Sequence, residues 1–346
     1  MAGLCAAVRA RELGFEPRVL EKGDRPGGSM LLSSGVVWRY RTLDDFRRAC
    51  PDGDESLQRQ IVERLDGALA WLERLGAPVL ATETRNARTV GWRFETRALT
   101  QALAHRAGDV QLGRGFMPGT ETGPEEPVVL ATGGFPARLA QLWNLPLRAS
   151  PWSEGEGLDY ARTRGAATTG GMGEFYGRVM PAPPARWDES DYVELAQVYG
   201  RLVTVVDETG DEIPVDPEDW SENRLVQEIA RRGGTAWFLV SPAELTHETP
   251  YGTVGEAIER VRLAGGTVDE RDDGRVAVHV VSAITHTIGG IAIDEHARVL
   301  DRERLPIEGL YAAGVDAGGV ANGGYASGLA AALVFGLIAA EAVAAA

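Results

Sequence analysis

The opening stretch, "MAGLCAAVRARELGFEPRVLEKGDRPGGS" (residues 1–29), decides how the remainder is read. Leu4, Ala7, Val8, Ala10 and Leu13 recur at intervals that line one face of a helix. Gly14 ends that helix, and Pro17-Arg18-Val19-Leu20-Glu21 reads as a short strand. In a βαβ dinucleotide unit a first strand runs into G-x-G-x-x-G, and the last glycine lets the helix pack closely. An acid that takes the ribose hydroxyls follows about 20 residues on. Gly3 and Glu21 fit that glycine and that acid. The first strand and the first two glycines would then stand before Met1. The expectation is that upstream codons encode them, and that the 346-residue form handles its ligand poorly.

Length and composition set the frame around this unit. A chain of 346 residues is long enough for two domains, each with its own core. The formal charge of −15 argues against a general nucleic-acid or anionic-membrane surface, since both reward clustered cations. Lys22 is the only lysine, so nearly all the positive charge is arginine. Cys5 and Cys50 form no metal-ligand spacing and no disulfide framework, which suits a reducing cytoplasm. Arg9 and Arg11 interrupt the first apolar run, so no signal peptide is expected. The run Leu329–Ala345 is alanine-rich, holds Glu341 and lacks basic flanks. It is expected to be a buried helix rather than a membrane span.

Three blocks follow one another. Residues 1–150 hold the opening unit, a helical stretch from Ser56 to Gly76 with Ile61, Leu65, Leu69 and Leu72 on one face, and "EPVVLATGGFPA" (126–137). Residues 151–285 are richer in aromatics and acids. "RLVTVVDETGDEIPVD" reads as strand, turn, strand, and "NRLVQEIARRGGTAWFLV" as a helix stopped by Gly233-Gly234 before a strand. Glycine-rich sequence returns from residue 286. A discontinuous domain, 1–150 plus 286–346, with residues 151–285 inserted as a second domain, is the expected organisation.

The glycine-rich segments carry the candidate site. Glu21 and Lys22 end the second strand, and Gly27, Gly28 and Ser29 supply small residues and free N–H groups where a diphosphate could approach. Ser33, Ser34 and Gly35 repeat that chemistry. Ala131, Thr132, Gly133 and Gly134 follow a buried-type strand, and Gly314 and Asp316 follow another. Each segment alone also reads as an ordinary tight turn. A long apolar helix starts at about Ser327, with Leu329 in its first turn and its N–H groups pointing outward.

Taken in order, "AG-L-AA…EKGDRPGGS", "VVLATGGF", "THTIGGIAIDEHARVL" and "PIEGLYAAGVDAGG…LVFGLIA" resemble the fumarate reductase and succinate dehydrogenase flavoprotein superfamily. That superfamily includes soluble FAD-dependent fumarate reductases, L-aspartate oxidases and 3-ketosteroid dehydrogenases. The resemblance covers both ends well and the middle loosely. It implies an α/β, Rossmann-like FAD-binding domain with an inserted α+β cap that closes over the flavin. It implies FAD as cofactor, Asp316 near the ribityl chain, and the last helix aimed at an anionic reduced flavin ring.

The departures bear on substrate. The histidine that helps hold a dicarboxylate in fumarate reductases would fall at Thr285, while His286 stands one residue later. The arginine of those enzymes is missing too, since no arginine lies between Val315 and the last residue. A small dicarboxylate would face poorly compensated burial of its charge. Tyr325 occupies the corresponding loop, as a tyrosine does in ketosteroid dehydrogenases, and a phenol could polarise a substrate carbonyl. It reads equally well as a packing residue. Tyr176 and Arg178 could line the cap face of the site, and His286 reads first as a strand-end residue. The expected function is a soluble FAD-dependent dehydrogenase or reductase, moving a hydride between substrate carbon and flavin N5. Its small-molecule substrate would be apolar and carbonyl-bearing, of steroid-like type. An enoate or dicarboxylate reductase and a degenerate flavoprotein without catalysis are the alternatives.

Overall fold

The computed structural model describes residues 1–115, 126–216, 219–249 and 251–346, and they form two compact units. The first unit comprises Met1–Arg138, Ser150–Glu174 and His286–Ala346; the second comprises Leu139–Ala149 and Phe175–Thr285.

The first unit starts with helix α1 (Ala2–Glu12), which Gly14 terminates at φ +90°. Strand β1 (Val19–Glu21) runs parallel to β5 (Val110–Leu112). Strand β6 (Val128–Leu130) runs parallel to β15 (Pro306–Ala312), which pairs antiparallel with β14 (Arg298–Leu300). Among the described residues the parallel strands therefore stand in two pieces, and α1 packs against both β1 and β6. A separate antiparallel sheet places β4 (Thr89–Phe94) between β2 (Val36–Tyr40) and β3 (Val79–Ala81).

Helices α2 (Leu43–Ala49) and α3 (Glu55–Arg74) pack on β2, α4 (Thr96–Ala107) packs on α1, α6 (Glu156–Thr163) belongs to the same unit, and α5 (Pro136–Trp143) leads into the second unit. In α3, Asp54 caps the first turn by accepting the Ser56 N–H at 2.9 Å. Its stripe of Leu57, Ile61, Leu65, Leu69 and Leu72 is buried, each side chain contributing about 1.5–3 kcal/mol relative to exposure. Helix α9 (Gly328–Ala345) is apolar on every side and is buried from Ala330 to Ala340, packing on α1 and α3. The crossing with α1 depends on Gly336, where a Cβ would lie 2.7 Å from the Ala2 carbonyl oxygen. Glu341 explains the charge in that apolar run, since it pairs with Arg9 and Arg64.

The second unit is built on a five-stranded sheet of β7 (Phe175–Pro181), β8 (Thr204–Val206), β9 (Thr235–Val240), β12 (Val268–Glu270) and β13 (Val276–Thr287). The order is β12-β13-β9-β8, with β7 also on β13. Helix α7 (Asn223–Arg231) covers β7 and β9. Helix α8 (Val254–Leu263) starts with a Thr253/Glu256 capping box, after the two-residue strands β10 (Glu248–Thr249) and β11 (Gly252–Thr253). Helix, glycine pair and strand follow one another over 223–240, as their pattern predicts. The second strand expected before Asp216 is reduced to a bridge between Val206 and Glu212, because Pro214 removes a ladder donor.

The expected division at residue 150 is displaced in both directions. Residues 139–149 join the second unit, and 150–174 stay with the first. Two contacts explain the latter. Lys22 pairs with Glu154 and Glu156, and Gly157 fits where a Cβ would come 2.7 Å from Thr132 Oγ1 and 2.9 Å from Asp316 Oδ1.

Candidate cofactor and substrate site

At the end of β6 the chain turns through Ala131-Thr132-Gly133-Gly134. A Cβ on Gly3 would lie 3.3 Å from the Ala131 methyl, so the start of α1 reaches this turn because residue 3 has no side chain. Gly133 and Gly134 both adopt positive φ, +92° and +69°. Asp316, in the turn after β15, accepts the Thr132 hydroxyl at 2.8 Å and the Gly133 N–H at 2.9 Å. Gly314, at φ +71°, brings that turn against Ala2, with a Cβ position 3.0 Å from the Ala2 methyl. Asp316 is fully buried. Burial pushes its pKa above the usual carboxylate range, while the Thr132 hydroxyl and the Gly133 and Gly134 N–H groups pull it back. Both carboxylate oxygens thus hold the glycine turn, a use the sequence reading did not assign.

The turn also exposes two groups that the sequence reading missed. A Cβ on Gly133 would lie 2.5 Å from Ser153 Oγ, and one on Gly134 would lie 2.7 Å from Thr287 Oγ1. The Thr287 hydroxyl is buried and has no hydrogen-bond partner among the described residues. Thr287 belongs to the THTIGG stretch that carries the family resemblance, although no role was read for it, whereas a lone serine such as Ser153 carries no signal, being common in turns.

The segment after β1 is divided between roles. Glu21 Oε1 accepts the Gly23 N–H at 2.8 Å, placing the carboxylate at the strand end. Lys22 is committed to Glu154 and Glu156. Gly27 and Gly28 have φ +114° and +52° and start a short 3₁₀ turn, and Ser29 Oγ accepts the Ser150 N–H at 3.0 Å. The Ser33 hydroxyl bonds within its own turn, and the Ser34 carbonyl accepts Arg93 Nε at 3.1 Å. A Cβ on Gly35 would lie 2.2 Å from the Phe94 carbonyl oxygen. Residues 33–35 are therefore braced on β4.

A third group gathers at the start of α9. Ser327 caps the helix by accepting the Ala330 N–H at 3.2 Å, and its Oγ also lies 3.5 Å from the Trp38 N–H donor. Tyr40 donates its hydroxyl to the Tyr325 carbonyl at 2.9 Å. The half-buried Tyr325 ring meets Trp38 edge-on at 5.5 Å between centroids and His286 at 6.3 Å. His286 Nδ1 lies 3.1 Å from the Thr287 carbonyl, so Nδ1 carries the proton that donates to it. Burial lowers the His286 pKa, and the ring is neutral at neutral pH. Its Nε2 faces Gly328, 3.3 Å from where a Cβ would stand, and Leu329 is half-buried one residue on. The loop before Tyr325 is pinned by Asn322 Nδ2 to the Gly170 carbonyl at 2.8 Å and by the Gly323 N–H to Glu174 at 3.1 Å.

Tyr176 and Arg178 stand on β7 of the second unit. Arg178 donates to the Ala196 carbonyl at 3.0 Å, lies 3.4 Å from the buried Glu222 carboxylate, and covers the Tyr199 ring at 4.8 Å. Its charge is compensated inside that unit. Burial raises the Glu222 pKa and the Arg178 guanidinium opposes the rise.

A family model described as "FAD binding domain" matches residues 1–123 and 122–329. The chain belongs to this FAD-binding domain family. It is therefore an FAD-dependent oxidoreductase of the superfamily that the four ordered motifs resemble. Solved structures agree at the level of fold. A flavocytochrome c3 fumarate reductase in its open conformation is 20% identical with a TM-score of 0.69, over 99% of this chain and 76% of that one. A 3-ketosteroid-Δ4-(5α)-dehydrogenase from Rhodococcus jostii RHA1 is 18% identical at TM-score 0.69, over 99% and 94% of the two chains. A 3-ketosteroid Δ1-dehydrogenase from Sterolibacterium denitrificans is 17% identical at TM-score 0.69, over 99% and 98%.

The first unit fits FAD. Glu21 at the end of β1 suits ribose hydroxyls, the paired positive-φ glycines 133 and 134 leave a cradle that side chains would fill, and Thr287 offers a buried hydroxyl beside it. Glu21→Ala removes charge-assisted bonds worth about 1.5–3 kcal/mol. The FAD dissociation constant should rise about tenfold or more. Flavin fluorescence titration checks this, and an unchanged constant would leave Glu21 only its bond to Gly23.

Proposed function

We propose that the protein oxidises or reduces a carbon–carbon bond next to a carbonyl in an apolar, steroid-like substrate. The single observation that carries this reading is the placement of Tyr325 immediately before α9, in a segment that contains no arginine from Val315 onward. Bound FAD supplies N5 as the hydride acceptor or donor.

The chain's own residues do the rest. The Tyr325 phenol donates a hydrogen bond to the substrate carbonyl and stabilises the negative charge that develops there. Tyr40 holds the Tyr325 main chain, so the ring is placed before substrate arrives. Neutral His286 borders the phenol without adding a competing charge. The first N–H groups of α9 present a partial positive charge.

Dicarboxylate reduction needs cationic side chains that the α9 loop lacks, and Glu222 already neutralises Arg178. Anaerobic mixing of the FAD-loaded enzyme with a 3-ketosteroid decides between the two. Bleaching of the flavin band is the expected result. Reoxidation of the reduced enzyme by fumarate, with no response to the steroid, would overturn the assignment.

A further inference from the structure

We propose that the indole of Trp152 is the platform on which the adenine of FAD stacks, beside the ribose held by Glu21. The inference rests on FAD being the cofactor. Trp152 is 44% exposed, unusual for the largest apolar side chain in a unit with a well-filled core. It is not loose. Its Cδ1–Nε1 edge lies against Gly23, where a Cβ would come 2.8 Å from Cδ1 and 3.0 Å from Nε1. The same point is 3.1 Å from Glu21 Oε1, so indole and carboxylate are immediate neighbours.

The turn that carries Trp152 is tied down at three places. The Ser150 N–H donates to Ser29 Oγ at 3.0 Å, and the Ala137 N–H donates to the Ser153 carbonyl at 3.2 Å. Lys22, next to Glu21, pairs with both Glu154 and Glu156. An exposed aromatic face, fixed beside a ribose-binding carboxylate, matches an uncharged planar base joined to that ribose. Lys22 itself is paired with two carboxylates. Ser153, the next residue, faces Gly133, so one turn spans the ends of β1 and β6.

Alanine substitution at a base-stacking aromatic weakens binding by about five- to hundredfold. Trp152→Ala should raise the FAD dissociation constant of the flavin-free full chain by about tenfold or more, and Trp152→Phe should retain most of the affinity. FMN, which has no adenine, should bind both variants as it binds the parent. ADP should quench tryptophan fluorescence in the parent and lose that quenching in Trp152→Phe. Unchanged FAD affinity in Trp152→Ala would overturn the proposal. So would an equal loss for FAD and FMN, which would make Trp152 a support for the turn. A parent chain that takes up no FAD would instead strike the cofactor assignment itself.

Discussion

Tyr325→Phe is expected to slow substrate-driven flavin reduction about 100-fold while the protein keeps its full FAD content. The substitution isolates the hydroxyl. Tyr325 is anchored through its main-chain carbonyl to Tyr40, and its ring through Trp38 and His286, none of which needs the phenolic oxygen. A phenylalanine keeps these main-chain and ring contacts and removes the phenolic donor that the proposed function assigns to the substrate carbonyl. Rapid-mixing absorbance of the flavin band measures the rate, and the flavin-to-protein ratio measures retention. Equal rates in the two proteins would make Tyr325 a packing residue and remove the main support for a carbonyl-bearing substrate.

Asp316→Ala should destabilise the first unit by about 2 kcal/mol or more, because two half-buried donors lose their acceptor at about 1 kcal/mol or more each. The Thr132 hydroxyl and the Gly133 N–H both end on this carboxylate, at 2.8 and 2.9 Å, and Asp316 is 1% exposed. The same change frees the Gly133-Gly134 turn, so the purified variant should also lose its yellow colour. Asp316→Asn keeps one acceptor but turns an amide N–H₂ toward a second donor, and should fall between the two. Denaturant midpoints and bound-flavin absorbance follow both effects. A variant with the parental midpoint would show that the turn stands without its carboxylate.

Local pattern carried much of the first unit. The stripe of Ile61, Leu65, Leu69 and Leu72 predicts α3, the apolar run predicts α9 with its cap at Ser327, and Gly3 with Glu21 places α1 and β1. These are properties of neighbours in the chain, where periodicity and capping chemistry act directly. The β2–β4–β3 sheet was not legible. Its strands are three to six residues long, and β2 finds its partner β4 only after helices α2 and α3 have intervened in the chain. Lys22 illustrates the same limit: the sequence groups it with the cofactor residues beside Glu21, and its pairing with Glu154 and Glu156, from far along the chain, is visible only in the structure.

The sequence by itself determined the family, the cofactor and the glycines that a dinucleotide fold needs, because those rest on short-range rules of backbone conformation and close approach. Tertiary structure alone decided what the polar side chains are for. Asp316 became the anchor of the Thr132–Gly134 turn, Tyr40 the anchor of Tyr325, Thr287 a neighbour of Gly134, and Trp152 a neighbour of Gly23 and Glu21. A carboxylate, hydroxyl or indole has the same chemistry wherever it stands. Its role is set by which partner lies within hydrogen-bond or contact distance once burial has removed water as the alternative.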